Sequence, residues 1–247
     1  MSGRTIRRFG NLDALSRAAA DELMVIAREA VAARGVCHLG MSGGSTPKRM
    51  NQLLAAAGRD ALPWDRIELW WGDERTVAAD HADSNYRMTR ETLIDPLGLA
   101  PERIHRIDGL GDHAAAAQIY ERELTGKLGT PPVLDLVLLG MGPDGHTASL
   151  FPHTPGLTAP GWVVANQLAV TNLPGATVRI TLTARAINAA RKIRFLVGGA
   201  DKAASLAGVL EGPADPQRYP SQLIAPTTGE LVWMVDDAAA ANLKGTS

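Results

Sequence analysis

The chain reads as an α/β protein: a doubly wound, mostly parallel sheet with helices on both faces. Three observations predict this. Apolar runs of strand length alternate with segments whose apolar residues recur at three and four. Leu134–Leu139 is almost continuously apolar, as a strand covered on both faces should be. Several of the strands end in glycine-rich turns that lead on toward a helix start, which is where open α/β sheets hold ligands.

Leu12, Leu15, Ala19, Leu23, Ile26 and Ala30 form one stripe of a first helix, with Gly35 as its stop. Val36–Met41 follows as a strand. Thr46 is expected to cap a second helix, with Pro47 at its first position and Met50, Leu53, Leu54 and Ala57 facing inward. Ile67–Trp71 is the next strand, and core packing explains at least one of Trp70 and Trp71. Helices follow near Tyr86–Ile94 and Ala114–Leu128, the latter turning Ile119, Tyr120, Leu124 and Leu128 inward. Val178–Thr183, Ile193–Val197 and Leu231–Val235 complete the strands, alternating with helical segments near Ala184–Arg191, Lys202–Leu210 and Ala238–Leu243. Pro131-Pro132 and the Pro/Gly-rich Pro152–Pro174 read as loops. Residues 1–247 are expected to form one domain, with a small flap or insertion around 152–174.

Composition bounds the function. Of 247 residues, 45% are hydrophobic and 21% charged, which suits a large buried core. A formal net charge of −1 leaves no basic field for nucleic acid. No apolar stretch reaches membrane-spanning length, and the polar N-terminus does not read as a secretory signal. Cys37 is the single cysteine, which fits a reducing compartment, and its apolar run suggests a buried structural thiol. A cytoplasmic protein with no obligate protein partner is expected.

Four turns carry chemistry. In Gly140-Met-Gly-Pro-Asp-Gly-His146, Asp144 and His146 stand just past a strand end, and a carboxylate beside an imidazole can orient it for acid–base work. A tight turn with polar capping residues is the plainer alternative. Ser42-Gly43-Gly44 precedes a helix start, where free N–H groups and the helix dipole favour an anion. An ordinary Ser/Gly turn remains open there. Asp73-Glu74-Arg75 follows the tryptophan-bearing strand and reads either as site residues or as a solvated loop with a local ion pair. Lys202, after Gly198-Gly199, sits where the helix dipole disfavours a cation unless an anion is beside it. Arg179 interrupts an apolar strand and needs a partner if buried.

Ser42-Gly-Gly-Ser-Thr-Pro47, Trp71-Gly-Asp-Glu-Arg75, Asp83-Ser-Asn-Tyr86, Leu139-Gly-Met-Gly-Pro-Asp-Gly-His-Thr-Ala-Ser-Leu-Phe-Pro152, Arg179-Ile-Thr-Leu-Thr183 and Gly198-Gly-Ala-Asp-Lys-Ala203 together resemble the 6-phosphogluconolactonases, in family order over nearly the whole chain. The resemblance implies a Rossmann-like fold and hydrolysis of 6-phosphoglucono-δ-lactone in the oxidative pentose phosphate pathway. It implies that Ser42, Gly43, Gly44, Arg179 and Lys202 hold the sugar phosphate and that Asp73, Arg75, Asp144 and His146 line the reacting end. His146 would be the general base, with no cofactor required. The related glucosamine-6-phosphate deaminases carry a ring-opening glutamate shortly after that histidine, where this chain has Phe151. That isomerase reading, and a sugar-phosphate sensor without catalysis, stand as alternatives. A metal site at Asp144, His146 and His153 matches no common zinc spacing, so none is expected.

Overall fold

The computed structural model describes residues 5–168 and 177–244. In chain order the strands are β1 (Thr5–Phe9), β2 (Cys37–Met41), β3 (Ile67–Trp71), β4 (Asp73–Arg75), β5 (Ile104–His105), β6 (Leu136–Leu139), β7 (Val163–Gln167), β8 (Val178–Leu182), β9 (Lys192–Val197) and β10 (Glu230–Asp236). The helices are α1 (Leu12–Arg34), α2 (Ser45–Ala56), α3 (Asn85–Thr89), α4 (Asp95–Leu97), α5 (His113–Leu128), α6 (Ala184–Asn188) and α7 (Ala203–Glu211). A π-turn, Arg90–Ile94, joins α3 to α4.

Seven strands form one parallel sheet in the order β1-β10-β9-β6-β2-β3-β5. From β2 the chain moves outward through β3 to β5; from β6 it moves the other way through β9 to β10. The direction therefore reverses between β2 and β6, and the crevice beyond their carboxyl ends is where an open α/β sheet receives a ligand. The turns after β2, β3, β6 and β9 all open at that edge, and these are the four turns whose chemistry the sequence displays.

The sequence explains the main elements. Asn11 accepts the Ala14 N–H at 2.9 Å to start α1, and Gly35, at φ 78°, ends it. The expected stripe Leu15, Ala19, Leu23, Ile26 and Ala30 is buried, and α1 packs on α2 and on β2, β9 and β10. Trp70 and Trp71 are both fully buried, so packing accounts for both rather than one. Trp70 stacks on His105, and the Tyr120 hydroxyl bridges the Trp71 backbone, accepting from its N–H at 2.8 Å and donating to its carbonyl at 3.0 Å. Cys37 is buried as expected, and burial pushes its thiol up to about 12.

Other expectations are corrected. Val178–Leu182 does not join the parallel sheet: β8 is the centre of an antiparallel sheet, β4-β8-β7. The sequence gives no strand signal for its neighbours, because β4 is three polar residues and β7 lies inside the Pro/Gly-rich stretch. The strand β1 is equally silent in the sequence; its arginines face solvent and only Ile6 and Phe9 lean on the core, as befits an edge. Ala238–Leu243 forms turns instead of a helix, the first held by Asp236 accepting the Ala239 N–H at 2.7 Å. Ala57 lies past the end of α2 and is exposed. Ile119 is 58% exposed, since the inner face of α5 is set by Ala117, Tyr120 and Leu124. Within the expected 152–174 flap lie a 3-10 turn, Pro155–Thr158, and β7; residues 169–174 lie outside the described residues. Among the described residues no helix is long and apolar enough to cross a membrane.

Candidate active site

A cleft of ≈ 280 Å³ at the switch point is lined by residues 42–47, Asp73, Arg75, Asn85, residues 140–143, His146, Gly198 and Lys202, among others. The α2 end of this cleft differs from the expected cap. The helix begins at Ser45, its cap is Gly44 at φ 107°, and no side chain closes it. An uncapped helix start keeps its orphan N–H groups for a ligand. Gly43 has to be glycine, because a Cβ there would run into the Asn85 side chain.

The Asp73-Glu74-Arg75 segment is a built strand rather than a solvated loop. Glu74 is buried and its carboxylate organises the start of α3. Oε1 accepts the N–H groups of Arg75 at 2.7 Å and Asn85 at 2.8 Å; Oε2 accepts the Tyr86 N–H at 2.7 Å and the Ser84 hydroxyl at 3.0 Å. Burial raises its pKa in spite of these donors. Asp73 is also buried, with Oδ2 accepting from Ser149 Oγ at 2.6 Å and Oδ1 receiving Asn85 Nδ2 at 3.3 Å. Arg75 lines the cleft and donates to the Asp83 carbonyl at 2.6 Å.

Arg179 stands directly opposite Arg75 in the β4–β8 ladder. It is buried, it does not line the cleft, and among the described residues its Nη1 has no hydrogen-bond partner. Burial first, and the neighbouring Arg75 second, lower its pKa. Two guanidiniums facing each other on a ladder form an unfavourable pair until an anion or carboxylate compensates them.

At the other wall, His146 Nδ1 lies 2.6 Å from Asp144 Oδ1, and the His146 backbone N–H donates to the same oxygen at 3.1 Å. Asp144 is half exposed outside the cleft lining. Its burial works to raise its pKa, but the His146 hydrogen bond prevails and holds it below the usual carboxylate range. The turn is pinned from behind: Ser221 donates to the Gly145 carbonyl through Oγ at 2.8 Å and through N–H at 3.0 Å. Lys202 reaches the cleft and is paired with Asp201 at 2.6 Å. Its turn is fixed by Asp236, whose carboxylate oxygens each accept the Gly199 N–H at 3.1 Å.

Seven of the nine expected residues thus line one cleft: Ser42, Gly43, Gly44, Asp73, Arg75, His146 and Lys202. Asp144 joins them through His146, and Arg179 is the cross-strand neighbour of Arg75. Sequence reasoning assigns no role to Asn85, Ser149 or Asp236. Asn85 and Ser149 lie inside quoted motifs, so their positions are visible there; their bonds exist only once β4, β6 and β8 converge.

Residues 10–233 match the family described as glucosamine-6-phosphate isomerases/6-phosphogluconolactonase. The chain belongs to this family. It is 43% identical over 221 residues to the 6-phosphogluconolactonase of Synechocystis sp., covering 87% of this chain and 88% of that one. It is 40% identical over 245 residues to the 6-phosphogluconolactonase of Nostoc sp., covering 97% and 98%. The solved 6-phosphogluconolactonase from Trypanosoma cruzi superposes with a TM-score of 0.87 at 27% identity, covering 99% of this chain and 98% of that one. The family description spans an isomerase and a lactonase, and these relatives bear the lactonase name.

Proposed function

We propose that this chain hydrolyses 6-phospho-D-glucono-1,5-lactone to 6-phospho-D-gluconate, in the oxidative pentose phosphate pathway and in the cytoplasm. The observation that carries the reading is one cleft that gathers His146, held by Asp144 from outside the lining, with an uncapped helix start and Lys202. Hydrolysis of a lactone is acyl transfer to water. With Nδ1–H donated to Asp144, the His146 Nε2 lone pair takes a proton from water as the water oxygen attacks the carbonyl carbon. Asp144 then stabilises the imidazolium. Arg75 or the turn N–H groups meet the oxyanion, and collapse of the intermediate expels the ring oxygen, which recovers the proton from His146. Asp73 accepts a sugar hydroxyl. Residues 42–44 and Lys202 hold the phosphate, with Arg179 adding charge from beside Arg75 on the ladder; this fixes the ring and removes most of the entropy cost of attack. The chemistry calls on no cofactor, and the reading takes residues 1–247 as one domain without a protein partner.

The test is turnover of freshly generated lactone, corrected for its spontaneous hydrolysis. His146→Ala is expected to lower kcat by about a hundredfold or more, the usual scale for a lost general base, with 6-phosphogluconate binding nearly unchanged. A variant keeping more than half the parental kcat overturns the assignment of the base.

A further inference from the structure

The imidazole of His146 is held on three sides. Asp144 takes Nδ1. The ring of Phe151 stacks on it, with centroids 4.1 Å apart and planes 24° apart. The Cε1–Nδ1 edge lies against Gly142, where a Cβ would collide with both ring atoms. Among the described residues no group takes Nε2. Of these three neighbours, Asp144 sets the tautomer but fixes the plane only loosely, because one hydrogen bond with broad angular tolerance still allows the ring some swivel about Cβ–Cγ. A flat aromatic face at stacking distance removes that swivel.

Phe151 is itself anchored. Its carbonyl accepts the Thr154 hydroxyl at 2.8 Å. Thr154 Oγ1 in turn accepts Asn166 Nδ2 at 3.0 Å, and that same amide donates to the Ser149 carbonyl at 2.8 Å. Asn166 is buried in β7, so the strand hidden in the Pro/Gly-rich stretch fixes the loop bearing Phe151.

We propose that Phe151 is a positioning residue that sets the plane of the His146 ring, with Gly142 as the floor that admits the ring, so that Nε2 alone addresses the water. The proposal rests on His146 being the base. It makes kcat depend on a flat side chain at 151, not merely an apolar one, while ground-state binding of the phosphorylated substrate does not depend on it.

The experiment compares the parent with Phe151→Leu, Phe151→Tyr and His146→Ala, each purified and checked for a cooperative thermal transition. Kinetics on the lactone give kcat and KM, and proton NMR follows the His146 ring C–H resonances, assigned by their absence from His146→Ala. Phe151→Leu is expected to lower kcat about tenfold with KM within twofold, and to shift the His146 resonances as the ring current of the stacked phenyl is lost. Phe151→Tyr keeps the flat face and is expected to restore kcat. If His146→Ala is inactive while Phe151→Leu keeps kcat within twofold, the positioning role falls and the base stands. If Phe151→Leu leaves the His146 resonances in place, the stack does not exist in solution and the proposal falls. If His146→Ala keeps its turnover, the base reading falls and this one with it.

Discussion

Lys202 sits in a turn where a cation gains nothing from the adjoining helix, and it pairs with its neighbour Asp201. An exposed pair of this kind is worth little, so a phosphate in the cleft competes for Lys202 at small cost. Lys202→Ala is expected to weaken 6-phosphogluconate binding by about 10- to 150-fold, the range for a charge-assisted contact of roughly 1.5–3 kcal/mol, and to leave gluconate binding unchanged. Calorimetric titration with both ligands checks this; equal loss for the two places the phosphate elsewhere. Cys37 gives a second residue-scale expectation. With its thiol raised to about 12 by burial, it stays protonated at pH 8, so iodoacetamide should label the native chain far more slowly than the urea-unfolded one. Fast labelling with loss of turnover would show an accessible thiolate. Single residues such as Lys202 and His146 are legible in the sequence because their chemistry conflicts with their local setting or pairs within two positions. Asn85 and Ser149 are not, because what makes each of them matter is a bond to Asp73, 12 and 76 positions away.

Between elements, the edge of β3 and β5 against α5 carries a buried ionic cluster remote from the cleft. Glu68 pairs with His105, with Arg103 at 2.7 Å and with Lys127 at 3.2 Å, and His105 also meets Glu123 at 2.6 Å. Burial acts to raise the Glu68 pKa, but the bonds from His105, Arg103 and Lys127 outweigh it and hold the carboxyl at about 2. The folded pKa is therefore below the unfolded one. The stabilisation is complete above the ordinary carboxylate range and is lost as pH falls from about 5 toward 2. Glu68→Gln is expected to cost about 1–3 kcal/mol at pH 7, the upper end being set by the size of the shift and the lower by partners that reach solvent. Its unfolding free energy should also be flatter than the parent's across that pH window, as urea titrations would show; parallel curves would mean that Glu68 titrates normally. None of this cluster is visible in the sequence, since it needs the register that sets His105 beside Trp70. The strands that are legible there, β2, β3, β6, β8, β9 and β10, are those whose residues are largely buried, although the sheet to which β8 belongs is not legible. The strands β1, β4 and β7 are not, because an edge or a short ladder tolerates polar residues and is specified by its partners.

At the scale of the molecule, strand–helix alternation is enough to predict a parallel sheet and a ligand edge. It cannot reveal the second sheet, in which β8 bridges Arg75 to the loop held by β7. That sheet supplies Asp73 and Arg75 to the cleft and holds the loop that bears Phe151, so it bears on which of the family's two chemistries is expected of this chain. If residues 42–44 and Lys202 hold the phosphate as proposed, glucosamine-6-phosphate offers them the same group as the lactone does, so both ligands are expected to bind. Binding alone confers no rate; only interactions that strengthen in the transition state do. Opening the aminosugar ring requires a group that moves a proton at the ring oxygen, and the resemblance places such a glutamate where this chain has Phe151. Here that side chain is an apolar ring laid on His146 at 4.1 Å. It can neither accept nor donate the proton, and as an apolar ring it offers the developing charge no hydrogen bond. The lactone makes no such demand, because its carbonyl is already electrophilic and, in the proposed mechanism, the base needs only to deprotonate water. The chain is therefore expected to turn over 6-phosphogluconolactone and to release no measurable ammonia from glucosamine-6-phosphate, although that compound should compete with the lactone for the cleft. Ammonia release at a rate comparable to lactone hydrolysis would mean that another side chain supplies the ring-opening base, and the isomerase reading would then take first place.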